Sequence, residues 1–238
     1  MSASPDFSPS KAEAVRTMFT RIARRYDLMN SLMTGGRHHA WRRRVADGAA
    51  GAPGGPLLDL ATGTADLALT ARARTPGRFV AGADFSEGML RIGQAKLRER
   101  RVTRVELLVA DALALPFRDG AFACVMSAFL LRNLENLERG LAEMRRVTAR
   151  GGRVITLDIV RPAMPLWGGI FGVYFNHVVP AIGALVAGDR QAYTYLPQSV
   201  DRFVTPDELS ELMENVGLRD VTYRRLGLGT IALHVGIA

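Results

Sequence analysis

Three acids stand at matching places in successive segments. Asp59 lies in Leu58-Asp59-Leu60-Ala61, Asp84 closes Phe79-Val80-Ala81-Gly82-Ala83-Asp84, and Asp111 follows Val109-Ala110. Each belongs to or follows a short apolar run that reads as a buried strand. Acids at the ends of consecutive strands form a row of acceptors along the carboxyl edge of a sheet, where open α/β sheets take ligands. Asp84 lies about twenty residues beyond the turn after the first strand, the place from which an acid bonds a ribose diol. Asp111, with Ala112 beside it, can accept from an adenine amino group. Each acid alone could equally cap the helix that follows. The three in this order favour a nucleoside.

The turn between the first strand and its helix, Thr62-Gly63-Thr64-Ala65-Asp66, narrows the choice. A pyrophosphate favours G-x-G-x-x-G, with open backbone at a helix N-terminus. Here one glycine, Gly63, allows close approach beside Thr62, and Asp66 adds a carboxylate that would repel phosphate. The same carboxylate suits a cation, such as the aminoacid end of S-adenosylmethionine, whose sulfonium and ammonium are both positive. The residues point towards a methyl donor and away from NAD.

The remaining reactive side chains say less. His38 and His39 beside Trp41 suggest a metal, but no third ligand stands at usable spacing, and the expectation is no metal. His177 in an apolar run reads as a base or as a bonded core residue, and His234 on the last strand as structural. Cys124 inside 122–126 reads as a buried inert thiol; as the only cysteine it excludes an internal disulfide and fits a reducing cytoplasm.

The elements that must position these residues follow from pattern. Residues 1–10 read as a flexible arm. Ser10-Lys11-Ala12-Glu13 looks like a capping box, and Val15, Met18, Phe19, Ile22, Tyr26, Met29 and Met33 continue at helical spacing to Gly35-Gly36. A short helix over 41–46 and a Gly/Pro/Ala linker over 49–56 come next. Strands are expected at 57–61, 79–84, 105–110, 122–127 and 153–160. They alternate with helices at 65–73, from Ser86 to about 100, and at 137–148, the last closed by Gly151-Gly152. That alternation predicts βαβ units and a mainly parallel sheet. The apolar stretch 166–188, interrupted by Gly and Pro, reads as an inserted helical lid rather than a membrane span. Thr205-Pro206-Asp207-Glu208 starts a final helix, and 221–226 with 230–237 form a closing strand pair. The whole is one domain over 11–238: N-terminal helices (11–48), a nucleoside-binding core (57–160), a lid insertion (161–200), and a C-terminal helix and strand pair (201–238).

A hydrophobic fraction of 48% argues against disorder, and a net charge of +8 suits nucleic acid, an anionic membrane or an acidic substrate. The basic groups, densest at Arg42, Arg43 and Arg44, carry no aromatic RNA-binding signature, so nucleic acid is not expected.

Nearly the whole chain resembles the quinone-biosynthesis C-methyltransferases, which act on demethylmenaquinol or polyprenyl benzoquinols. The particular segments are Tyr26-Asp27-Leu28-Met29-Asn30, Gly36 with His38 and Trp41, Leu131-Arg132-Asn133, and Tyr193-Thr194-Tyr195-Leu196-Pro197-Gln198-Ser199. The family usually has glycine where Ala65 and Leu130 stand, and more often arginine at His39. The resemblance implies the Rossmann-like, doubly wound, seven-stranded sheet of class I methyltransferases. It also implies a prenylated quinol substrate and transient contact with the inner face of the cell membrane, and leaves room for a homodimer. In that frame Arg132 stabilises a phenolate, Asn133 orients the ring, and Tyr26 lies over the donor. Its alternative reading is a core aromatic. A different phenolic or secondary metabolite is the alternative substrate.

Overall fold

The computed structural model describes residues 11–162, 172–183 and 190–238. Among them seven strands form one sheet in the order β3-β2-β1-β4-β5-β7-β6. The strands are β1 (Leu57–Leu60), β2 (Val80–Asp84), β3 (Val105–Val109), β4 (Phe122–Ala128), β5 (Thr148–Ile159), β6 (Arg219–Leu226) and β7 (Ile231–Ile237). The first five run parallel, and β7 lies antiparallel between β5 and β6. β1 and β2 are buried along their full length, as strands covered on both faces must be. Strand order reverses between β1 and β4, opening a crevice at their carboxyl ends.

The covering helices are α1 (Lys11–Ile22), α2 (Tyr26–Thr34), α3 (Arg37–Ala50), α4 (Asp66–Arg74), α5 (Glu87–Glu99), α6 (Leu137–Val147), α7 (Arg190–Asp201) and α8 (Pro206–Asn215). Two cores pack on the sheet faces, around Leu58, Val125, Val154 and Met144 on one side and around Val45, Leu57, Met126 and Ile155 on the other. A third lies mainly among helices: Ile22, Met29, Met89, Val179 and Val200 bring the N-terminal helices, α5, Val179–Ile182 and α7 together, with Ile159 of β5 packed against them.

Several local expectations are corrected by tertiary packing. The N-terminal periodicity is not one helix: a 3₁₀ turn at Ala23–Arg25 breaks it, and Tyr26 opens α2. The short helix expected at 41–46 runs from Arg37 through Ala50, because Val45, Ala46 and Ala49 are buried in the second core. Gly151-Gly152 does not close α6. The helix ends at Val147 and the chain passes directly into β5, where a Cβ on Gly152 would meet the Ala123 carbonyl at 2.7 Å. The Thr205 capping box is present, with Glu208 returning to the Thr205 N–H at 2.7 Å. Within the expected lid, Tyr174–Val178 is a π-helical turn running into Val179–Ile182. Residues 163–171 and 184–189 of that stretch, like the expected arm 1–10 and the Ser10 cap, lie outside the described residues. No described helix is long and apolar enough to cross a membrane.

Candidate functional site

Two cavities open along the carboxyl edge of the sheet. The smaller, about 230 Å³, is walled by the ends of the first four strands: Leu60 and Ala61, Ala83 to Phe85, Ala110 to Leu113, and Leu130. α1 contributes Val15 and Arg16. Asp84 carries the polar focus. Its carboxylate accepts from the Gly63 N–H at 2.9 Å and the Ser86 N–H at 2.8 Å. Burial pushes its pKa up to about 6 against those bonds. Asp111 and Ala112 share the wall, and Asp111 accepts from the Leu113 N–H at 2.8 Å.

Asp59, Thr62 and Gly63 do not line this cavity; they shape the turn beneath it. Thr62 donates its hydroxyl to Asp59 at 2.6 Å, and burial raises the Asp59 carboxyl to about 7. Ala61 and Ala65 take left-handed backbone (φ 58° and 66°) on either side of Gly63 (φ 56°). Glycine would hold such a conformation without strain, which explains why the resemblance expects one at Ala65. Leu130 has an ordinary φ of −90° and needs no glycine; its side chain borders the smaller cavity.

Asp66, expected to meet a ligand's cation, instead meets two cations of the chain. Lys96 Nζ stands 2.6 Å from one oxygen and Arg42 Nη1 3.1 Å from the other. Burial would raise the Asp66 carboxyl, but those charges overcome it and hold the group below the usual range. Lys96 also reaches Asp27 at 2.6 Å and Thr64 at 3.0 Å, and Thr64 donates to Asp27 at 2.6 Å. The knot ties α2 and α3 to the β1–α4 turn and α5. From sequence, Asp27 and Thr64 stood only inside motifs and Arg42 in a basic run, none with a role, and Lys96 went unnoticed. One signal existed: Lys96 is one of two lysines in an arginine-rich chain. A compact ammonium with three donors fits three clustered acceptors, where a planar guanidinium does not.

The larger cavity, about 430 Å³, is mostly apolar. Met18, Phe19, Ile22, Tyr26, Met33 and Trp41 come from the N-terminal helices, Tyr174 from the π-helical turn, Tyr195 and Leu196 from α7, and Leu228 and Ile231 from the β6–β7 turn and the start of β7. Its floor is the segment after β4. Phe129 turns left-handed there (φ 65°), a strained backbone that redirects the chain into the 3₁₀ turn Leu131–Asn133. Tyr26 packs edge-on to Phe19, with ring centroids 5.9 Å apart.

Arg132 lies 5.7 Å above the Phe129 ring and bonds Asp158 through Nη1 at 2.5 Å. The pair is buried, with side chains 6% and 2% exposed. Asp158 is a further important residue missed from sequence. It lies one residue before the end of β5, and an acid at the end of an apolar run, as at Asp84, could have found it. Asn133 borders both cavities. Its amide donates to the Phe129 carbonyl at 3.0 Å and its oxygen accepts from the Tyr195 hydroxyl at 3.2 Å.

His177 is exposed, so it is not the bonded core residue that its apolar run suggested, and it is not among the lining residues. His234 is structural: its Nε2 donates to the Pro206 carbonyl at 2.9 Å. Cys124 is buried, its thiol pushed up to about 12. Among the described residues no group of three or more His, Cys, Asp or Glu is placed to hold a metal ion.

A family model for the ubiE/COQ5 methyltransferase family matches residues 8–238. The chain is 46% identical over 219 residues to a demethylmenaquinone methyltransferase of Thermus thermophilus, covering 92% of this chain and 99% of that one. It is 38% identical over 229 residues to the ubiquinone/menaquinone biosynthesis C-methyltransferase UbiE of Methylobacterium nodulans, covering 95% and 91%. Among solved structures, a SAM-dependent methyltransferase from Aquifex aeolicus aligns with a TM-score of 0.64 at 16% identity, covering 89% and 98%. The [4+2]-cyclase SpnF aligns at 0.68 and 21%, covering 94% and 78%. The structural likenesses speak for the fold alone, and their two chemistries illustrate why.

Proposed function

The chain belongs to the ubiE/COQ5 methyltransferase family, and on that premise we propose that it methylates a ring carbon of a polyprenylated quinol. The donor is S-adenosylmethionine, and the reaction is that of demethylmenaquinol to menaquinol, the last step of menaquinone biosynthesis. The observation that carries this reading is the junction of two unlike cavities at Asn133, one walled by strand-end acids and one by apolar side chains.

The smaller cavity fits a nucleoside. Asp84 is a buried acceptor already oriented by two backbone N–H groups, leaving lone pairs for a ribose diol. Asp111 and Ala112 take the adenine edge, while Asp59, Thr62 and Gly63 keep the turn in shape. The knot on Asp66 fixes that turn against α2, so Asp66 acts through Lys96 and Arg42 rather than as a free anion. The donor supplies a sulfonium methyl already activated for displacement, and the chemistry calls for no metal.

The protein's own work is alignment, exclusion of water and control of one proton. A quinol carbon becomes nucleophilic as the neighbouring hydroxyl loses its proton. Arg132 stabilises the phenolate and holds the water that takes that proton, with Asp158 keeping the guanidinium in place. Asn133 orients the ring at the junction, and Tyr26 walls the approach.

A long prenyl tail cannot fit beside the ring in about 430 Å³ and must leave by the mouth. Leu228 marks it: the residue lines the cavity, is 66% exposed and holds a left-handed backbone, each unfavourable for a leucine without a role. Leu32 and Val173, chain neighbours of the lining residues Met33 and Tyr174, are exposed as well. With the net charge of +8, these support transient docking on the anionic cytoplasmic face of the membrane.

Anaerobic turnover by the purified protein, followed by mass spectrometry of the quinone, tests the reading. Methylation of a prenylated naphthoquinol well above a tail-less one is expected, as is flotation with anionic liposomes that weakens with salt. Equal turnover of both quinols and indifference to anionic liposomes would replace it with a soluble phenolic substrate.

A further inference from the structure

His38 lines the larger cavity and is 1% exposed, and the bonds around it determine which ring nitrogen holds the proton. The Thr34 hydroxyl donates its single proton to the Asn30 carbonyl at 2.7 Å. The 2.8 Å contact between that same oxygen and His38 Nδ1 must then be donated by the ring. Nδ1 carries the hydrogen, and Nε2 is left with a bare lone pair. Nε2 is buried and has no hydrogen-bond partner among the described residues. Burial, with the nearby charges of Arg42 and His39, lowers the ring pKa to about 4, so at neutral pH this nitrogen stays an acceptor. An acceptor left dry in an apolar wall is unfavourable unless a ligand brings a donor to it.

We propose that His38 Nε2 accepts a hydrogen bond from a ring hydroxyl of the substrate, and that through it the cavity selects the reduced quinol over the quinone. The inference rests on the quinol reading above. A quinol presents two O–H donors. The corresponding quinone presents carbonyl oxygens at the same positions, and a carbonyl facing the Nε2 lone pair has no hydrogen to share. A site built around a substrate hydroxyl rejects the analogue that lacks the donor. Arg132, on the floor of the same cavity, is a donor and tolerates either oxidation state, so it cannot make this distinction. The selection has a chemical purpose: only the reduced ring has a nucleophilic carbon, and a bound quinone would occupy the site without reacting. Nε2 has no water-accessible surface, so a neighbouring side chain must yield for the substrate to reach it; the ring of the exposed His39 packs 3.9 Å from that of His38.

The test uses the whole protein under anaerobic conditions, with a prenylated naphthoquinol as substrate and its oxidised quinone as competing ligand. For the unaltered protein the quinone inhibition constant should exceed the quinol KM by at least about tenfold. His38→Phe keeps an aromatic ring and loses the acceptor; the ratio should collapse to within about threefold, chiefly through a raised quinol KM. Donor binding by calorimetry should be unchanged. If that variant no longer binds donor, Thr34→Val decides instead: freeing the other tautomer should also shrink the ratio. A wild-type ratio in a folded His38→Phe variant, or in Thr34→Val when it must decide, overturns the proposal, as does an unaltered protein indifferent to oxidation state. Those outcomes leave the quinol reading standing if turnover persists, whereas no methylation of any prenylated quinol defeats both.

Discussion

The two cavities are built by opposite means. The smaller one rests on strand ends: Asp84 and Asp111 are anchored by backbone, Asp84 by two N–H groups of the turns that follow β1 and β2 and Asp111 by the Leu113 N–H. The larger one is walled mainly by helices and a hairpin turn, and its central polar groups depend on side chains from distant positions, Arg132 on Asp158 and Asn133 in part on Tyr195. The difference teaches where variation is tolerated. A strand-end site is rigid and suits a ligand common to many reactions, while a wall of helices can be altered for a new acceptor without disturbing the sheet.

The strongest way to break this contrast is at Arg132. Arg132→Ala should lower turnover about 10²–10³-fold, the scale for a preorganised charge stabiliser, with donor affinity unchanged. It also strands Asp158, a buried carboxylate, so stability should fall by about 3–5 kcal/mol. Adding Asp158→Asn should restore most of the melting temperature and none of the turnover. Recovery of both in the double variant would show that Arg132 serves only the fold.

Asp84→Ala tests the other cavity. Donor affinity should weaken by about 1.5–3 kcal/mol, with quinol KM little changed. Calorimetry showing wild-type donor affinity would remove Asp84 from the site.

Acidity sharpens the same point. Asp84 titrates near 6 in the free protein, and hydroxyl donors prefer its ionised form. Donor affinity should be level above that pH and fall up to about tenfold per unit below it, with proton release on binding that grows as the pH drops. Calorimetry in buffers of different ionisation heat measures that release. The linkage to folding has the opposite sense. Burial raises Asp84 and Asp59 above their ordinary values, so the stability present below pH 4 is lost as the pH climbs through about 6 and 7. Without donor, the protein should therefore be less stable towards neutrality on account of these two groups.

The smallest effect is expected at the junction. Asn133→Ala removes one modest hydrogen bond on each side and should raise both donor Kd and quinol KM about 2–10-fold. A change confined to one constant would assign Asn133 to one cavity alone.

Features that depend on neighbours along the chain could be read from residue order alone. A strand followed by an acid, the Gly63 turn and the Thr205 box are short-range patterns, and backbone geometry leaves them little choice. The five-strand alternation and the closing pair were legible for the same reason, as were Asp84 and Asp111 on one wall. Tertiary structure decided what depends on side chains that meet from distant positions. Asp158 reaches Arg132 across 26 residues, and Lys96 reaches Asp66 across 30 and draws Asp27 into the same knot. The extension of α3 through Ala50 came from burial of its apolar face, against a Gly/Ala composition that reads locally as a linker. Asp66 shows the limit most clearly. Spacing can place a carboxylate at a helix start, but only packing shows that two cations already occupy it, because a charge takes its meaning from what the fold brings within a few ångströms.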